Sequence, residues 1–302
     1  MKFADKFLNH MWHFGANFPN YPKLDYLADF PIFESSLKEA TRLLESMGGW
    51  VNRKSFDRVE YFCLFVGHSR SGHSLIGALL DAHPHIILAH ELDVLGNLSE
   101  VNSRNQLFYR LLVRSRLTAR NGRSPSYSYK IPSQYQGEFK RLKIIGDKSG
   151  GFSSIHLKDG VKPLRELMKI VQIPVKIIHV KRHPLDNIST MARKGFNGDI
   201  DKAINRYFKD CNTINETKKW ASKNEIVDWI DILHEKFVTE TKSSLAKLLD
   251  YLNLEYEKKY LHDTSDIVFD TPNKSRDKVK YRSNQIKKIR DKRKDMSIVY
   301  NI

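Results

Sequence analysis

The residues of this chain best suited to chemistry are Gly67-His68-Ser69-Arg70-Ser71-Gly72-His73-Ser74. Two glycines let such a loop turn tightly, so that its backbone N–H groups converge on an anion. Arg70 adds a fixed cation with a forked set of donors. The spacing fits G-x-x-x-x-G-x-S, the outline of a P-loop, but His73 stands where that loop carries its lysine. A nucleoside triphosphatase uses the lysine on the β- and γ-phosphates. Arg70 inside the loop therefore suits a ligand with one phosphate group at this position better than a triphosphate.

A second cluster has the same character. Val175-Lys176-Ile177-Ile178-His179-Val180 runs into Lys181-Arg182-His183-Pro184, and Ser189 and Thr190 follow. The apolar run reads as a buried strand, and Pro184 suits the first turn of a helix. Arg182 then stands at the C-terminal end of a strand, with two hydroxyls about two turns into the next helix. A cation and a hydroxyl on adjoining elements make a second anion site.

Both clusters need strand–loop–helix units to hold them. Tyr61–Val66 is an apolar run before the first loop, and Leu75-Ile76-Gly77-Ala78-Leu79-Leu80 has helical spacing after it, with a stop at Pro84. Strands are predicted at 86–89, 142–146 and 226–233, and helices at 104–118, 162–171 and 239–252. An earlier helix is predicted over 35–47, with Ser36 and Glu39 as a capping box and Gly48-Gly49 as its end. Residues 119–138 read as an exposed loop, and 1–33 as a segment wrapping the surface or lying near an acceptor. Strands alternating with helices predict an α/β fold: a P-loop-like three-layer domain with a mainly parallel central sheet flanked by helices. Ligands of such sheets sit at strand C-termini, where the strand order reverses. The expected organisation is an N-terminal extension and packing helix (1–58), the main domain (59–282) and a basic C-terminal helix or tail (283–302).

With its two motifs placed, the chain resembles the PAPS-dependent sulfotransferases over roughly residues 60–285. The likeness is greatest to the tyrosylprotein-type and bacterial branches, whose loop also carries R-S-G. The resemblance implies 3′-phosphoadenosine 5′-phosphosulfate (PAPS) as co-substrate and its bisphosphate, PAP, as product. It makes Gly67, His68, Ser69, Arg70, Ser71, Gly72, His73 and Ser74 the 5′-phosphosulfate loop. Arg182 with Ser189 or Thr190 becomes the 3′-phosphate site; the family spacing reaches Thr190, and Ser189 is one residue short.

The resemblance also implies three catalytic residues, Glu91, Lys148 and Arg70. Glu91 stands seven residues after Pro84 of Asp81-Ala82-His83-Pro84, where tyrosylprotein-type enzymes carry their general base. His90 is the alternative base, because imidazole has the better intrinsic pKa. Lys148, in Asp147-Lys148-Ser149, corresponds to the lysine that contacts the bridging oxygen or sulfuryl group, although Ser149 and two glycines replace the usual proline context. His234, in His234-Glu235-Lys236-Phe237-Val238, stands where the family has a nucleotide-holding tyrosine; Glu235 reads as structural. Arg276 falls in the segment resembling the basic loop that closes over the 3′-phosphate and adenine. Sulfuryl transfer displaces a phosphate ester, already a good leaving group, so no metal is expected. His10, His13, His83 and His85 lack ligand spacing.

Composition sets the outer bounds. The 302 residues, 40% of them apolar, allow one large α/β domain or two small ones. Two cysteines, Cys63 and Cys211, give no disulfide framework, and Cys63 falls inside a predicted strand as a small core residue. There is no apolar run of about 18 residues and no apolar signal core, so no membrane span and a cytoplasmic location are expected. A net charge of +16 suits an anionic ligand, an acidic acceptor or both. Much of it lies in Lys274–Lys294, which lacks interleaved aromatics beyond Tyr281, so nucleic acid is not the expected partner. The acceptor class stays open among a glycan, a peptidyl tyrosine and a small alcohol. The rival readings are a P-loop nucleotide kinase, disfavoured by the missing lysine, and a non-enzymatic basic protein that binds polyanions.

Overall fold

The computed structural model describes residues 31–121 and 129–295; the side chains of 31–38, 121, 294 and 295 lie outside that description. In chain order its main elements are α1 (Pro31–Val51), β1 (Tyr61–Val66), α2 (His73–Asp81), β2 (Ile86–His90), α3 (Arg104–Asn121), β3 (Ile144–Lys148), α4 (Gly151–His156), α5 (Lys162–Val171), β4 (Val175–Lys181), α6 (Pro184–Gly195), α7 (Ile200–Ala221), β5 (Val227–Leu233), α8 (Thr241–Tyr251) and α9 (Ser283–Asp295). Shorter helices occupy Arg53–Phe56, His234–Thr239 and Lys258–Ser265.

The five strands form one sheet in the order β2-β3-β1-β4-β5, and every pairing is parallel. Alternation along β1 explains the layers. Phe62, Leu64 and Val66 enter one core with Leu111 of α3, Leu167 of α5 and Ile214 of α7. Cys63 and Phe65 enter the other with Ile76 of α2 and Leu245 of α8. Both faces are covered, which is why these strands read as continuous apolar runs rather than alternating ones. A smaller cluster joins α6, α7 and α9 through Ile188, Phe208 and Ile289. The chain moves outward from β1 to β2, returns to β3 and crosses to β4, so the order reverses beside β1. A parallel sheet offers its ligand crevice at such a point.

Some expectations change in detail. Helix α1 begins at Pro31 and continues to Val51, so Ser36 is inside it rather than at its cap. The Gly48-Gly49 pair is a contact surface, not a stop. A Cβ on Gly48 would stand 2.3 Å from the Tyr109 ring, and one on Gly49 would stand 2.6 Å from the Asn105 carbonyl oxygen. The pair lets α1 lie directly on α3. Strand β3 runs to Lys148 and so includes Asp147 and Lys148, which the apolar run alone placed in a loop. The helix expected at 239–252 stands as Thr241–Tyr251, with a separate short helix, His234–Thr239, before it. In the segment expected as an exposed loop, Ile131 is buried, and the Gln136 amide donates to the Tyr129 carbonyl at 2.8 Å. Residues 1–30 and 122–128 lie outside the described residues, and with them most of the segment expected near an acceptor. No helix among the described residues is long and apolar enough to cross a membrane.

Candidate active site

The loop between β1 and α2 opens onto a cleft of about 720 Å³ at the C-terminal edge of the sheet. Its shape is fixed from below. Ser154 Oγ of α4 accepts from the Gly67 N–H at 3.0 Å and donates to the Gly67 carbonyl at 2.8 Å. The Asn187 amide of α6 donates to the Ser69 carbonyl at 2.7 Å. Gly72 ends the loop at φ +103°, and a Cβ there would stand 2.3 Å from Nδ1 of His234. Glycine is required at that position on both counts.

Of the predicted loop residues, Ser69, Arg70, Gly72, His73 and Ser74 line the cleft. Gly67, His68 and Ser71 do not reach it. The His68 ring turns away, stacks on Tyr207 with centroids 4.1 Å apart and bonds the Tyr207 carbonyl at 3.1 Å. Ser71 is fully buried; its hydroxyl donates to the His68 carbonyl at 2.9 Å and bonds Nδ1 of His73 at 3.1 Å. His73 occupies the lysine position of a P-loop but supplies no charge. Burial, with the nearby Lys148 ammonium, holds its pKa well below the ordinary value. Arg70 is exposed at φ +68° and has no ion-pair partner among the described residues, so its guanidinium stands available to an anion.

Arg182, at the end of β4, is 8% exposed. Its guanidinium donates to the Arg70 carbonyl at 2.9 Å, Thr190 Oγ1 at 3.2 Å, the Asn273 carbonyl at 2.8 Å and Ser275 Oγ at 3.0 Å. Thr190 lines the cleft beside it. Ser189 does not: it is fully buried, donating to the Leu185 carbonyl at 2.6 Å and bonding the Tyr281 hydroxyl at 2.8 Å. Successive residues of a helix point about 100° apart, so α6 can present only one of the two.

The third group is an ion pair. Lys148, 2% exposed, extends from β3 and places Nζ 2.7 Å from Glu91 Oε1, whose side chain is 44% exposed. The same Nζ lies 3.2 Å from Ser74 Oγ at the start of α2. Strands β2 and β3 pair with His90 opposite Lys148, which brings residue 91 to the lysine. Glu91 is the one acid among the described lining residues, against Arg70, Lys148 and Arg182. His90 does not line the cleft; its carbonyl accepts from Arg114 at 2.8 Å.

His234 lines the cleft against Gly72, and burial together with the Arg182 charge holds its pKa down at about 4. Glu235 accepts from the His183 N–H at 2.8 Å. Arg276 does not line the cleft. Its guanidinium is engaged with Asp186, at 2.7 Å, and with His183, at 2.9 Å; its segment reaches the cleft through Asn273 and Ser275 instead.

Sequence reading did not single out Ile267, Val268, Phe269 or Phe152, which also line the cleft, as does Tyr129. Phe269 is 79% exposed. Ile267–Phe269 follows a helix with neither helical nor strand periodicity, so nothing in its pattern marks it. A cleft lined by three cations, by apolar and aromatic side chains, and by a carboxylate beside a lysine suits a ligand with anionic groups and a flat apolar part, next to a group that gives up a proton. No group of His, Cys, Asp or Glu that could hold a metal ion occurs among the described residues.

No protein-family model matches the chain, and no curated protein matches it. Among solved structures the chain is similar to the sulfotransferase domain of an olefin synthase from Synechococcus PCC 7002, with 13% identity, 81% of this chain and 96% of that one covered, and a TM-score of 0.47. It is similar to a sulfotransferase from Mycobacterium avium, with 11% identity, coverage of 89% and 84%, and a TM-score of 0.48. It is also similar to a mouse sulfotransferase solved with PAP, with 12% identity, coverage of 82% and 89%, and a TM-score of 0.41. These three structures are of sulfotransferases, and at identities of 11–13% the chemistry of this chain rests on its own cleft.

Proposed function

We propose that the protein is a PAPS-dependent sulfotransferase that moves a sulfuryl group to an acceptor hydroxyl or amine. The observation that supports this most is the Lys148–Glu91 pair at 2.7 Å in the same cleft as Arg70, Arg182 and Thr190. In this reading Arg70 and the loop amides hold the 5′-phosphosulfate, and Arg182 with Thr190 holds the 3′-phosphate. The apolar stretch Ile267–Phe269 takes the adenine. Glu91 removes the acceptor's proton. The acceptor oxygen bonds to sulfur as the bond from sulfur to the bridging oxygen breaks, and Lys148 with Arg70 balances the charge left on the departing phosphate. Positioning and electrostatics carry most of such a transfer, and Glu91, the only acid of the lining set, would repel phosphates and so belongs on the acceptor side. The acceptor is a glycan, a peptidyl tyrosine or a small alcohol.

The kinase reading is less well supported, because His73 is buried and held neutral where the triphosphate-binding lysine would be. Calorimetry and thermal shift separate the two. PAP without divalent metal is expected to bind and, at about a hundred times its Kd, to add roughly 2.7 kcal/mol of stability. Stabilisation by ATP with magnesium and none by PAP overturns the proposal.

A further inference from the structure

We propose that Asp147 is a positioning residue for Glu91, acting through the backbone of the turn after β2; the catalytic side of this inference rests on the sulfotransferase reading above. Glu91 does not sit on regular structure. It has φ +55°, and Asp93 has φ +60°, so two non-glycine residues in the left-handed region flank Leu92. Such backbone persists only where its surroundings over-determine it.

Asp147 supplies that determination. Its carboxylate is fully buried and accepts from the Leu92 N–H at 3.1 Å, the Val94 N–H at 2.9 Å and the Ser149 hydroxyl at 2.6 Å. Ser149 Oγ in turn accepts from the Asp93 N–H at 3.0 Å. Three consecutive amides of the turn, 92 to 94, are therefore bound by Asp147 and the serine it orients. Register explains how the residue reaches them. Asp147 lies opposite Ala89, and Lys148 lies opposite His90. Neighbouring residues on a strand point to opposite faces, so one strand end grips the base from both sides. Lys148 holds the carboxylate of Glu91, and Asp147 holds the backbone that carries it. A buried carboxylate with no such task is costly to keep, and burial pushes the pKa of Asp147 up.

Two measurements test this, and they keep its failure separate from failure of the sulfotransferase reading. Hydrogen exchange needs no turnover. Asparagine at 147 offers one acceptor oxygen for two amides, so in Asp147→Asn at least one of Leu92 and Val94 is expected to exchange about tenfold faster or more, with the amides of β1 unchanged. Unchanged protection of both overturns the proposal whatever reaction the enzyme performs. In turnover with PAPS, Asp147→Asn is expected to lower kcat about 10²-fold, the cost of a misplacement near 1 Å, while PAP affinity holds within about twofold. In a Glu91→Gln background the same change is expected to cost nothing more, because its effect runs through Glu91. Losses that multiply overturn it. If Asp147→Asn does not fold, Ser149→Ala carries the test, with a smaller loss that likewise vanishes in Glu91→Gln. A protein that binds no PAP and transfers no sulfuryl group defeats the sulfotransferase reading, and the exchange result still decides what Asp147 holds.

Discussion

Arg182 shows how one residue joins the parts of the site. It ties the loop carbonyl of Arg70, the helix hydroxyl of Thr190 and the Asn273–Ser275 segment into one corner, and these partners are all neutral oxygens. Arg182→Ala is expected to weaken PAP binding by on the order of 1.5–3 kcal/mol, the worth of a hydrogen bond to a charged group. Adenosine 5′-phosphosulfate, which lacks the 3′-phosphate, is expected to lose much less. Calorimetry with both ligands decides: equal losses mean that the variant acts by loosening the corner and that Arg182 does not read the 3′-phosphate.

At the scale of elements, the loop and the short helix His234–Thr239 are locked together. Gly72 stands at φ +103°, and the His234 ring fills the space where its side chain would be. Gly72→Ala therefore meets two penalties, a backbone conformation that alanine resists and a contact too short to keep. Denaturant unfolding is expected to show a loss of about 1–3 kcal/mol, with weaker PAP binding. Adding His234→Ala removes the contact but not the backbone penalty, so stability should return in part. A Gly72→Ala variant as stable as the parent would show that the loop does not depend on this packing.

Across the whole molecule, buried histidines set the response to acid. His68, His73 and His83 are 6%, 6% and 1% exposed. Burial is the leading cause in each case, holding His68 at about 3 and His83 at about 4, and His73 well below the ordinary value. His83 shows why in its bonds: Nε2 faces the Glu255 carbonyl at 3.0 Å, and Nδ1 accepts from the His85 N–H at 3.2 Å, leaving no site for a second proton. The unfolded chain protonates each near pH 6.5, and the folded chain does so only at much lower pH. Their contribution is therefore present above 6.5 and is lost as pH falls through that value. Between pH 7.5 and 6 His68 and His83 are each expected to cost about 0.8 kcal/mol, about 1.6 kcal/mol together, and His73 and His234 act in the same direction. Asp210 runs the other way, because burial raises it to about 6, but its effect grows mainly below that pH. Urea titrations across this window test the sign; stability that is flat or rises toward pH 6 would contradict it.

The sequence by itself determined the alternation of strands and helices, the anion-holding loop and the chemical types gathered at strand ends. Each is a local matter. Burial on both faces writes a continuous apolar run, and an anion cradle needs its glycines and arginine within one short loop. Only the tertiary structure decided which of these groups meet. Thr190 rather than Ser189 faces the cleft because α6 is rotated so that Ser189 meets Tyr281. Arg276 is spent because Asp186, ninety residues earlier, reaches it. Gly48-Gly49 is a helix contact rather than a helix end because Tyr109 and Asn105 lie against it. The Lys148–Glu91 pair, 57 residues apart, and the hold of Asp147 on the turn depend on β3 lying beside β2. Sequence spacing carries no term for that register, which is fixed by packing between distant parts of the chain.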